Sequence, residues 1–414
     1  MYGFGIRAWQ FALPLLKAGH HITLVTLEFG AARESDIKVT YQFPPACFGS
    51  IEHITLPEPS PRTTNILLTK LEEIIRSYRP DAIIAAGSTI TTNLAAMLNT
   101  SLPIWMDMFG DLFAEVQAKS PFVNARDQIT FFHHVLSRVL LRGDRFSVVS
   151  EMQRGAAMGQ LGLMGRLNQY TLGEELVYTI PCAVNGDVMP VKRKTILRGK
   201  VVERGDFLLL CTGGFNTWMD VPTLFEGIER AMEKNPRIHC VVTGGAIVGH
   251  HEDGFTKFRG LISKSPHEKN FHLLGWLSNE DVDQVTMECD LGLNVDLPIY
   301  ESYLGSRNRM LYWMQFGLPV LTTLNTELSH VLFDNDIAIG VPHSQPRLLA
   351  DKIVEASLNR RKVRRKAMKA QEFTYQYFSF DETCLPLVRW VEHPATASDI
   401  VQRSSQGKPL SDVD

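Results

Sequence analysis

Short, continuously apolar runs alternate with stretches of helical periodicity along most of this chain, and this alternation restricts the possible fold more than any other feature. In the first half, the apolar run His21–Leu27 is followed by helical spacing over Thr64–Tyr78 and by further apolar runs at 81–87 and 103–107. The second half repeats the pattern from 206–211 onward. Strands that are apolar on both faces are typical of a parallel sheet with helices on both sides. We therefore predict an α/β protein of two tandem, Rossmann-like, doubly wound domains.

A basic stretch separates the two halves. Residues 190–204 carry six Lys and Arg side chains and few large apolar ones. We predict a linker at 189–205 between an N-terminal domain at 1–188 and a C-terminal domain at 206–370. The polar residues at 396–414 predict a disordered tail.

The composition excludes several classes of protein. With 44% hydrophobic and 21% charged residues, the 414-residue chain is neither disordered nor of low complexity. A formal net charge of −3 argues against a general nucleic-acid-binding protein. No apolar run is long enough to span a membrane and no signal peptide is apparent, so we expect a cytoplasmic protein. The six cysteines are far apart and form no zinc-binding spacing, so we expect neither disulfide bonds nor a metal site.

The chain opens on Gly3-Phe4-Gly5, ahead of a helical pattern from about residue 6 to residue 17. Glycines let a backbone approach a ligand closely and a helix N-terminus attracts anions, so Gly3 and Gly5 form either a substrate-contact loop or a plain tight turn. In a doubly wound domain a strand precedes such a loop, and none precedes it in these 414 residues. We expect that the sheet lacks a strand beside this loop or that the sequence starts too late to include it. Glu28, after the next strand, leaves dinucleotide binding as a minor alternative.

Two glycine pairs directly follow the first two predicted strands of the second half. They are Gly213 with Gly214, and Gly244 with Gly245. A glycine pair after a strand suits a loop that a ligand approaches closely, and we predict ligand binding at both pairs. A simple glycine turn is the alternative for each.

Asn216 and Asp220 follow the first glycine pair and precede a predicted helix that begins near Pro222. We predict that both side chains contact the same ligand. The alternative for Asp220 is that its carboxylate caps this helix.

The strongest anion-binding pattern lies further along the second half. Gly305-Ser306 is predicted to open a helix, whose free backbone N–H groups can bind a phosphate. Arg307 and Arg309 place two guanidinium groups near its first turn. The alternative is that these arginines pair with local acids such as Glu301 and Asp296.

Several segments follow one another in a recognisable order. In the second half they are Gly275-Trp-Leu-Ser-Asn-Glu-Asp-Val282, Cys289-Asp-Leu-Gly-Leu-Asn-Val295 and Gly317-Leu-Pro-Val320. In the first half they are Leu16-Lys-Ala-Gly-His20, which leads into the first strand, and Tyr178-Thr-Ile-Pro-Cys-Ala-Val-Asn185. Together they resemble the glycosyltransferases of family 4 (group 1), which have the GT-B fold.

The resemblance implies two domains that face a central cleft, with a C-terminal helix at 371–395 that returns to the N-terminal domain. It implies transfer of a sugar to an acceptor hydroxyl from a nucleotide-diphosphate sugar, held mainly by the C-terminal domain. It further implies retention of anomeric configuration and no metal or other cofactor.

The acceptor stays open between a glycan, a lipid-linked molecule and a small molecule. Synthesis of a cell-surface polysaccharide or another glycoconjugate is the expected context. The alternatives are another GT-B chemistry, such as sugar-nucleotide epimerisation, and a non-catalytic two-domain protein that binds a nucleotide or sugar.

The usual signature of the family, two Glu residues with seven residues between them, is incomplete here. If Glu301 is the first, which contacts the donor sugar in the family, the count leads to Arg309. Anchoring on Gly317 instead puts Tyr312 where the second, ribose-binding Glu is expected. The basic residue usual after the first glycine loop of the C-terminal domain is also absent. We infer that Arg307 or Arg309 binds the diphosphate, because a guanidinium matches phosphate geometry.

Two acids follow a predicted strand of the first half. Asp107 and Asp111, with Glu115 close behind, come at a strand end that the resemblance places beside the acceptor. Carboxylates there can hold an acceptor hydroxyl or act as a general base, so we predict catalytic roles for both, together with Glu301. The alternative for Asp111 is that it caps a helix.

Residues 360–369 contain seven Lys and Arg side chains. One interpretation is peripheral contact with an anionic membrane at its inner face, as for enzymes with lipid-linked acceptors. The other is a solvated helix face. We favour the second because the cations are not confined to one side and no aromatic face accompanies them.

Overall fold

The computed structural model describes residues 3–28, 48–121, 125–246 and 252–405. Its strands, in chain order, are β1 (His21–Leu27), β2 (Ser50–Leu56), β3 (Ile83–Ala85), β4 (Ile104–Asp107), β5 (Arg145–Val148), β6 (Val177–Thr179), β7 (Phe207–Gly214), β8 (Ile238–Gly245), β9 (Phe271–Gly275), β10 (Leu291–Asn294), β11 (Val320–Thr323) and β12 (Ile339–Val341). Its helices are α1 (Gly3–Lys17), α2 (Thr64–Tyr78), α3 (Thr89–Met97), α4 (Leu112–Lys119), α5 (Ala125–Arg142), α6 (Glu151–Leu163), α7 (Val221–Lys234), α8 (Asp253–Ile262), α9 (Asn279–Glu288), α10 (Tyr300–Leu304), α11 (Asn308–Gln315), α12 (Glu327–Asp334), α13 (Pro346–Leu358), α14 (Arg360–Tyr377), α15 (Phe380–Thr383), α16 (Leu385–Glu392) and α17 (Ser398–Ser405).

The chain divides into two compact units. Unit 1 comprises Met1–Phe109, Arg126–Ile180 and Phe380–Asp414, and unit 2 comprises Gly110–Ala125 and Pro181–Ser379. Helix α4 therefore belongs to unit 2, although the chain on either side of it belongs to unit 1. The paired strands of both units run parallel, and helices connect most of them. The predicted α/β fold with two doubly wound units is thus confirmed.

Unit 1 holds two parallel sheets, β1–β2 and β3–β4–β5–β6. Among the described residues, no strand joins the two sheets. Trp105 of β4 lies in the core, with its ring 5.2 Å from that of Tyr178 and 5.4 Å from that of Trp390 on α16. Phe11 and Leu15 of α1 pack in the same cluster. Helices from both ends of this unit's sequence therefore cover one core.

Unit 2 contains a six-stranded parallel sheet in the order β12–β11–β10–β7–β8–β9. Chain order runs outward from β7 in one direction and outward from β10 in the other, so the topological switch point lies between these two strands. The central run of β7, Leu208 to Leu210, is fully buried, which explains its continuous apolar sequence. Helix α7 packs closely on α13. The glycine at 227 permits this, since a Cβ there would lie only 2.5 Å from the Leu349 side chain.

Most elements predicted from periodicity are present, with shifts at their ends. Helix α2 has the predicted bounds, Thr64–Tyr78. Strand β7 runs on through Gly214 and β8 through Gly245, so the two glycine pairs end strands rather than forming loops beyond them. Helix α1 begins at Gly3 and already includes Gly5, so the predicted opening loop is the first turn of a helix.

The stretch predicted to be a linker, 189–205, is instead packed into unit 2. Leu197 is fully buried, and three successive backbone N–H groups donate to the Glu288 carboxylate at the end of α9. Arg198 forms an ion pair with Asp290 at 2.6 Å. Basic residues of this stretch thus form ion pairs with acids some 90 positions further along the chain. The composition of the stretch itself does not show these partners.

The segment predicted to be a disordered tail, 396–414, begins with helix α17. Its Asp399 is buried and forms an ion pair with the buried Arg166, with Nη2 3.1 Å from Oδ1. A buried carboxylate needs such a partner, so this pair fixes α17 on unit 1. Residues 406–414 lie outside the described part of the chain.

Helix α14 carries the seven cations of 360–369. The buried residues on its apolar side are Val363, Ala367, Ala370 and Thr374. The Arg360 guanidinium packs 5.2 Å from the centre of the Phe207 ring. The exposed cations are Arg361, Lys362, Arg364, Arg365 and Lys369. Within the described ranges, no helix is both long and apolar enough to cross a membrane.

Asp399→Asn should lower the free energy of unfolding by about 3–5 kcal/mol, because it leaves the buried Arg166 guanidinium without its counter-charge. Urea unfolding followed by circular dichroism measures the change. Lys352→Ala, which removes an exposed ion pair with Glu355, is the matched control and should cost less than about 1 kcal/mol. Equal effects of the two changes would contradict the role given to the buried pair.

Candidate functional site

The two glycine pairs lie side by side at the carboxyl-end edge of the unit 2 sheet. Gly213 is in register with Gly244, and Gly214 with Gly245. The carboxyl ends of parallel strands share one edge, and ligands of open α/β sheets bind there, next to the switch point. Strand β7 borders that point, so the first pair occupies the position that the fold favours for a ligand.

The glycines differ in what surrounds them. A Cβ on Gly244 would lie 2.6 Å from the Gly213 carbonyl oxygen, so Gly244 permits the close approach of the two strands. A Cβ on Gly245 would meet the Phe255 ring at 2.8 Å. Gly213 has a φ of +82° and no heavy atom within 4 Å of its Cβ position. The backbone at Gly213 is therefore the one with open space for a ligand.

Two predicted site residues, one donor-binding and one catalytic, are helix caps. Asp220 accepts a hydrogen bond from the Thr223 N–H at 3.1 Å and caps α7. Asp111 accepts one from the Ala114 N–H at 2.8 Å and caps α4. The capping alternative is thus confirmed for both. Asn216 is half-buried in the loop between β7 and α7, where its carbonyl oxygen accepts the Met219 N–H.

Arg307 is a buried guanidinium held between two carboxylates. Its Nε donates to Asp296 at 2.8 Å, and its Nη1 and Nη2 donate to both Glu301 oxygens at 3.1 and 2.8 Å. The remaining donors reach the Ser302 hydroxyl at 3.2 Å and the Ser306 carbonyl at 3.1 Å. Five N–H groups thus meet five acceptors. Arg307 is therefore paired with local acids, which was the alternative to diphosphate binding. No N–H group of its guanidinium is left to contact a diphosphate.

Asp296 connects Arg307 to the neighbouring strands. Its carboxylate also accepts from Asn294 at 2.9 Å, and its backbone N–H donates to the Thr323 hydroxyl at 2.9 Å. The Trp218 ring lies 5.4 Å from the Arg307 guanidinium. Sequence reasoning named Asp296 only as an alternative partner, although an acid just beyond a buried strand is a signal for a site at this edge.

Arg309 is the guanidinium that the structure brings to the first glycine pair. Its Nη2 donates to the Gly214 carbonyl at 3.0 Å. No carboxylate in the described part of the chain forms an ion pair with it. Burial lowers the pKa of Arg309, with the nearby Arg307 charge acting in the same direction and Asp296 opposing it. A half-buried cation without an ion-pair partner, beside open backbone, favours an anionic ligand.

Glu301 is 7% exposed on α10. Burial raises its pKa to about 7, while Arg307 opposes this rise and the Asp296 and Glu115 carboxylates add to it. The carboxyl group therefore changes charge near neutral pH.

Gly305 and Ser306 do not open a helix. Gly305 ends α10, where its N–H donates to the Glu301 carbonyl at 2.8 Å, and α11 begins only after Arg307. A Cβ on Gly305 would lie 2.9 Å from Glu301 Oε1 and 3.0 Å from Arg307 Nη1. The ion pair across this turn explains both the glycine and the shifted helix start, so the predicted phosphate cradle at Gly305-Ser306 is absent.

Tyr312 points to a neighbouring helix. Its hydroxyl donates to Asp283 on α9, and its ring lies 4.9 Å from that of Phe316. Burial and the Asp283 carboxylate raise the pKa of Tyr312. Contact between Tyr312 and the nucleotide-sugar donor stays a prediction, and this geometry does not support it.

Two buried polar atoms at the same edge lack a partner among the described residues. They are the Thr217 hydroxyl, after β7, and Oδ1 of Asn325, after β11. Asn325 is held in place because its Nδ2 donates to the Asp296 carbonyl at 2.8 Å. Buried polar atoms normally have partners, so these two are exceptions at this edge of the sheet. Sequence reasoning missed both, because a lone Thr or Asn in a loop carries no pattern.

In unit 1, Asp107 is a buried counter-charge. Arg7 donates to its two oxygens at 2.8 and 3.0 Å, Ser147 donates at 2.7 Å, and the Gly87 N–H donates at 3.3 Å. These four hydrogen bonds satisfy the carboxylate within the core. The geometry therefore gives no support to the general-base role predicted for Asp107.

No metal-binding cluster is found in the described residues, that is, no group of three or more His, Cys, Asp or Glu side chains placed to hold an ion.

The fold is similar to that of several solved structures. Sucrose-phosphate synthase from Thermosynechococcus elongatus is 15% identical, with a TM-score of 0.66 over 92% of this chain and 91% of that one. The N-terminal domain of trehalose-6-phosphate phosphatase from Candida albicans is 15% identical, with a TM-score of 0.64 over 94% and 93%. Anabaena HepE in complex with UDP-glucose is 14% identical, with a TM-score of 0.61 over 83% and 86%.

No protein-family model matches the sequence, and no curated protein matches it. The similarity to solved structures shows the GT-B fold that these proteins share. At 14–15% identity it shows the fold alone.

Gly305→Ala should lower the free energy of unfolding by about 1–3 kcal/mol, because the added methyl group pushes on the Glu301 carbonyl and the ion pair. Gly260→Ala is the matched control, since a Cβ there meets no atom within 4 Å and alanine favours the helix. Denaturant unfolding of both variants measures the difference. A Gly305→Ala protein as stable as Gly260→Ala would contradict the packing described.

Glu301→Gln should remove a pH dependence of stability. The pKa of Glu301 rises from 4.5 in the unfolded chain to about 7 in the folded protein, so folding favours the neutral carboxyl. As the pH rises from below 4.5 to above 7, the wild type loses up to about 3 kcal/mol that the Gln variant does not lose. Melting temperatures of both proteins from pH 5 to pH 8 measure this. A difference that does not change with pH would contradict it.

Proposed function

We propose that this chain is a glycosyltransferase that moves a sugar from a nucleotide-diphosphate sugar to an acceptor hydroxyl. The observation that carries the proposal is the Arg309 guanidinium, bonded to the Gly214 carbonyl and beside the open backbone of Gly213, at the ligand-binding edge of the unit 2 sheet. The similar HepE structure was determined with UDP-glucose bound, and another similar structure is named a sucrose-phosphate synthase. These names fit a nucleotide-sugar substrate.

Arg309 is proposed to bind the diphosphate. The hydrogen bond from Nη2 to the Gly214 carbonyl orients its guanidinium beside the backbone of Gly213. A diphosphate there would supply the negative charge that the half-buried cation lacks. A guanidinium placed in advance also stabilises the charge that develops on the leaving diphosphate, without reorganisation during the reaction.

Glu301 is proposed to lie beside the donor sugar, as the family resemblance implies for this position. Arg307 fixes its carboxyl group through two hydrogen bonds. Most of the catalytic gain would come from holding the acceptor hydroxyl close to the anomeric carbon in a fixed orientation. Retention of configuration and transfer without a metal are part of this proposal and rest on the resemblance.

A non-catalytic nucleotide-sugar-binding protein is the second candidate. It is favoured by Tyr312, which stands in place of the second signature Glu and directs its hydroxyl to Asp283. The two candidates differ in turnover. A transferase releases nucleoside diphosphate faster when acceptor is added, whereas a binding protein releases none.

The exposed cations of α14 bear on where in the cell the protein acts. Five Lys and Arg side chains in 361–369 point to solvent, which fits the favoured solvated helix face. Weak peripheral contact of these cations with an anionic membrane is the alternative, and it would be one way to reach a lipid-linked acceptor. Synthesis of a polysaccharide or another glycoconjugate would then be the cellular role.

Arg309→Ala should weaken UDP-glucose binding about 10- to 100-fold, because one charge-assisted contact to the diphosphate is lost. Calorimetric titration of the wild type, the Ala variant and Arg309→Lys measures it, with the Lys variant in between. Arg361→Ala, an exposed cation on α14, is the control and should leave affinity unchanged.

Unchanged affinity in Arg309→Ala would show that the diphosphate site is misplaced. A wild type that binds no member of a panel of UDP-, GDP- and ADP-sugars would refute the proposed function itself.

A further inference from the structure

Helices α4 and α10 of unit 2 border a groove of about 430 Å³ that the donor site does not use. Its lining residues are Gln117, Ala118, Pro298, Ile299, Tyr300 and Tyr303. This volume is within the range of small-molecule sites, about 300–1,000 Å³. None of the lining side chains is charged, so the groove does not suit a phosphate or a carboxylate.

Two of the residues that line the groove are exposed tyrosines. Tyr300 is 62% exposed and Tyr303 is 40% exposed, and both are on α10. Neither hydroxyl forms a hydrogen bond with another described residue. A tyrosine ring is apolar on its faces and polar at its tip, and the amide of Gln117 adds donors and acceptors beside the rings. A ligand that fits this lining has an apolar face and several hydroxyl groups.

The groove adjoins the proposed donor-sugar position. Glu301 lies between the two tyrosines on the same short helix, but its side chain is buried against Arg307 while theirs are exposed. Helix α4, which carries Gln117 and Ala118, packs directly against α10. A molecule in the groove would therefore lie next to the sugar to be transferred.

We propose that this groove is an acceptor subsite and that the acceptor presents a sugar ring there, stacked on Tyr300 and Tyr303. This inference rests on the proposed function, since it takes Glu301 as the donor-sugar position. A pyranose ring has an apolar C–H face and a rim of hydroxyl groups, which matches the lining. One hydroxyl at its rim would face the anomeric carbon of the donor and form the new glycosidic bond, while the bond from that carbon to the diphosphate oxygen breaks. The nucleoside diphosphate leaves with the bonding electron pair and takes up the hydroxyl proton on its leaving oxygen.

The experiment uses the full chain with saturating UDP and measures glycoside binding by saturation-transfer NMR. The probes are the methyl α- and β-glycosides of glucose, galactose and mannose, together with maltose and sucrose. Tyr300→Ala and Tyr303→Ala should each weaken binding of the glycoside that the wild type prefers by about 3- to 10-fold, and the Phe variants by less than about 2-fold, because the stacking face is kept. Tyr377→Ala, an exposed tyrosine on α14, should change nothing.

UDP binding by calorimetry separates the possible failures. The inference predicts that all five variants bind UDP as the wild type does. Glycoside affinity unchanged in both Ala variants, or no glycoside bound by a wild type that does bind UDP, would overturn the acceptor subsite and leave the donor site intact. Loss of UDP binding in the Ala variants would also overturn it, since the tyrosines would then serve the donor site. A wild type that binds no nucleotide would instead refute the proposed function.

Discussion

The arrangement of the candidate site depends on one buried cation. Arg307 joins Asp296, which follows β10, to Glu301 on α10, and all three side chains are buried. Removing such charges from water costs several kcal/mol per ion, which is recovered only when the geometry is good and every donor is satisfied. The five hydrogen bonds of Arg307 meet that condition. They hold the turn at Gly305 and keep Glu301 buried on the short helix that also carries the two exposed tyrosines.

The two arginines of this segment therefore have different tasks. Arg307 has no donor left for a ligand, whereas Arg309 has one hydrogen bond, to Gly214, and no ion-pair partner in the described part of the chain. In sequence they are two positions apart and chemically identical. Only the fold distinguishes a cation that organises the site from one that can bind a diphosphate, and that distinction changes which substitution should affect affinity and which should affect stability.

Much of the fold could be predicted from the sequence, because continuous apolar runs and helical spacing are local signals. The strands, the helix Thr64–Tyr78 and the glycine pairs were found this way. Three of the errors share one physical cause, which is pairing between residues that are distant in the sequence or across a turn. The segment predicted to be a disordered tail begins with a helix, because Asp399 pairs with the buried Arg166. The segment predicted to be a linker is packed into unit 2, because Glu288 and Asp290 bind its backbone and Arg198. The ion pair between Glu301 and Arg307 likewise replaced the predicted helix start at Gly305.

The two arginines should behave differently when a nucleotide sugar binds, and a crystal structure of the protein with UDP-glucose would show both at once. We expect the diphosphate within hydrogen-bond distance of Arg309 and of the backbone at Gly213 and Gly214, with the Arg307 bonds to Asp296 and Glu301 unchanged. A diphosphate bound to Arg307, with either of those bonds broken, or one bound away from this edge of the sheet, would contradict it.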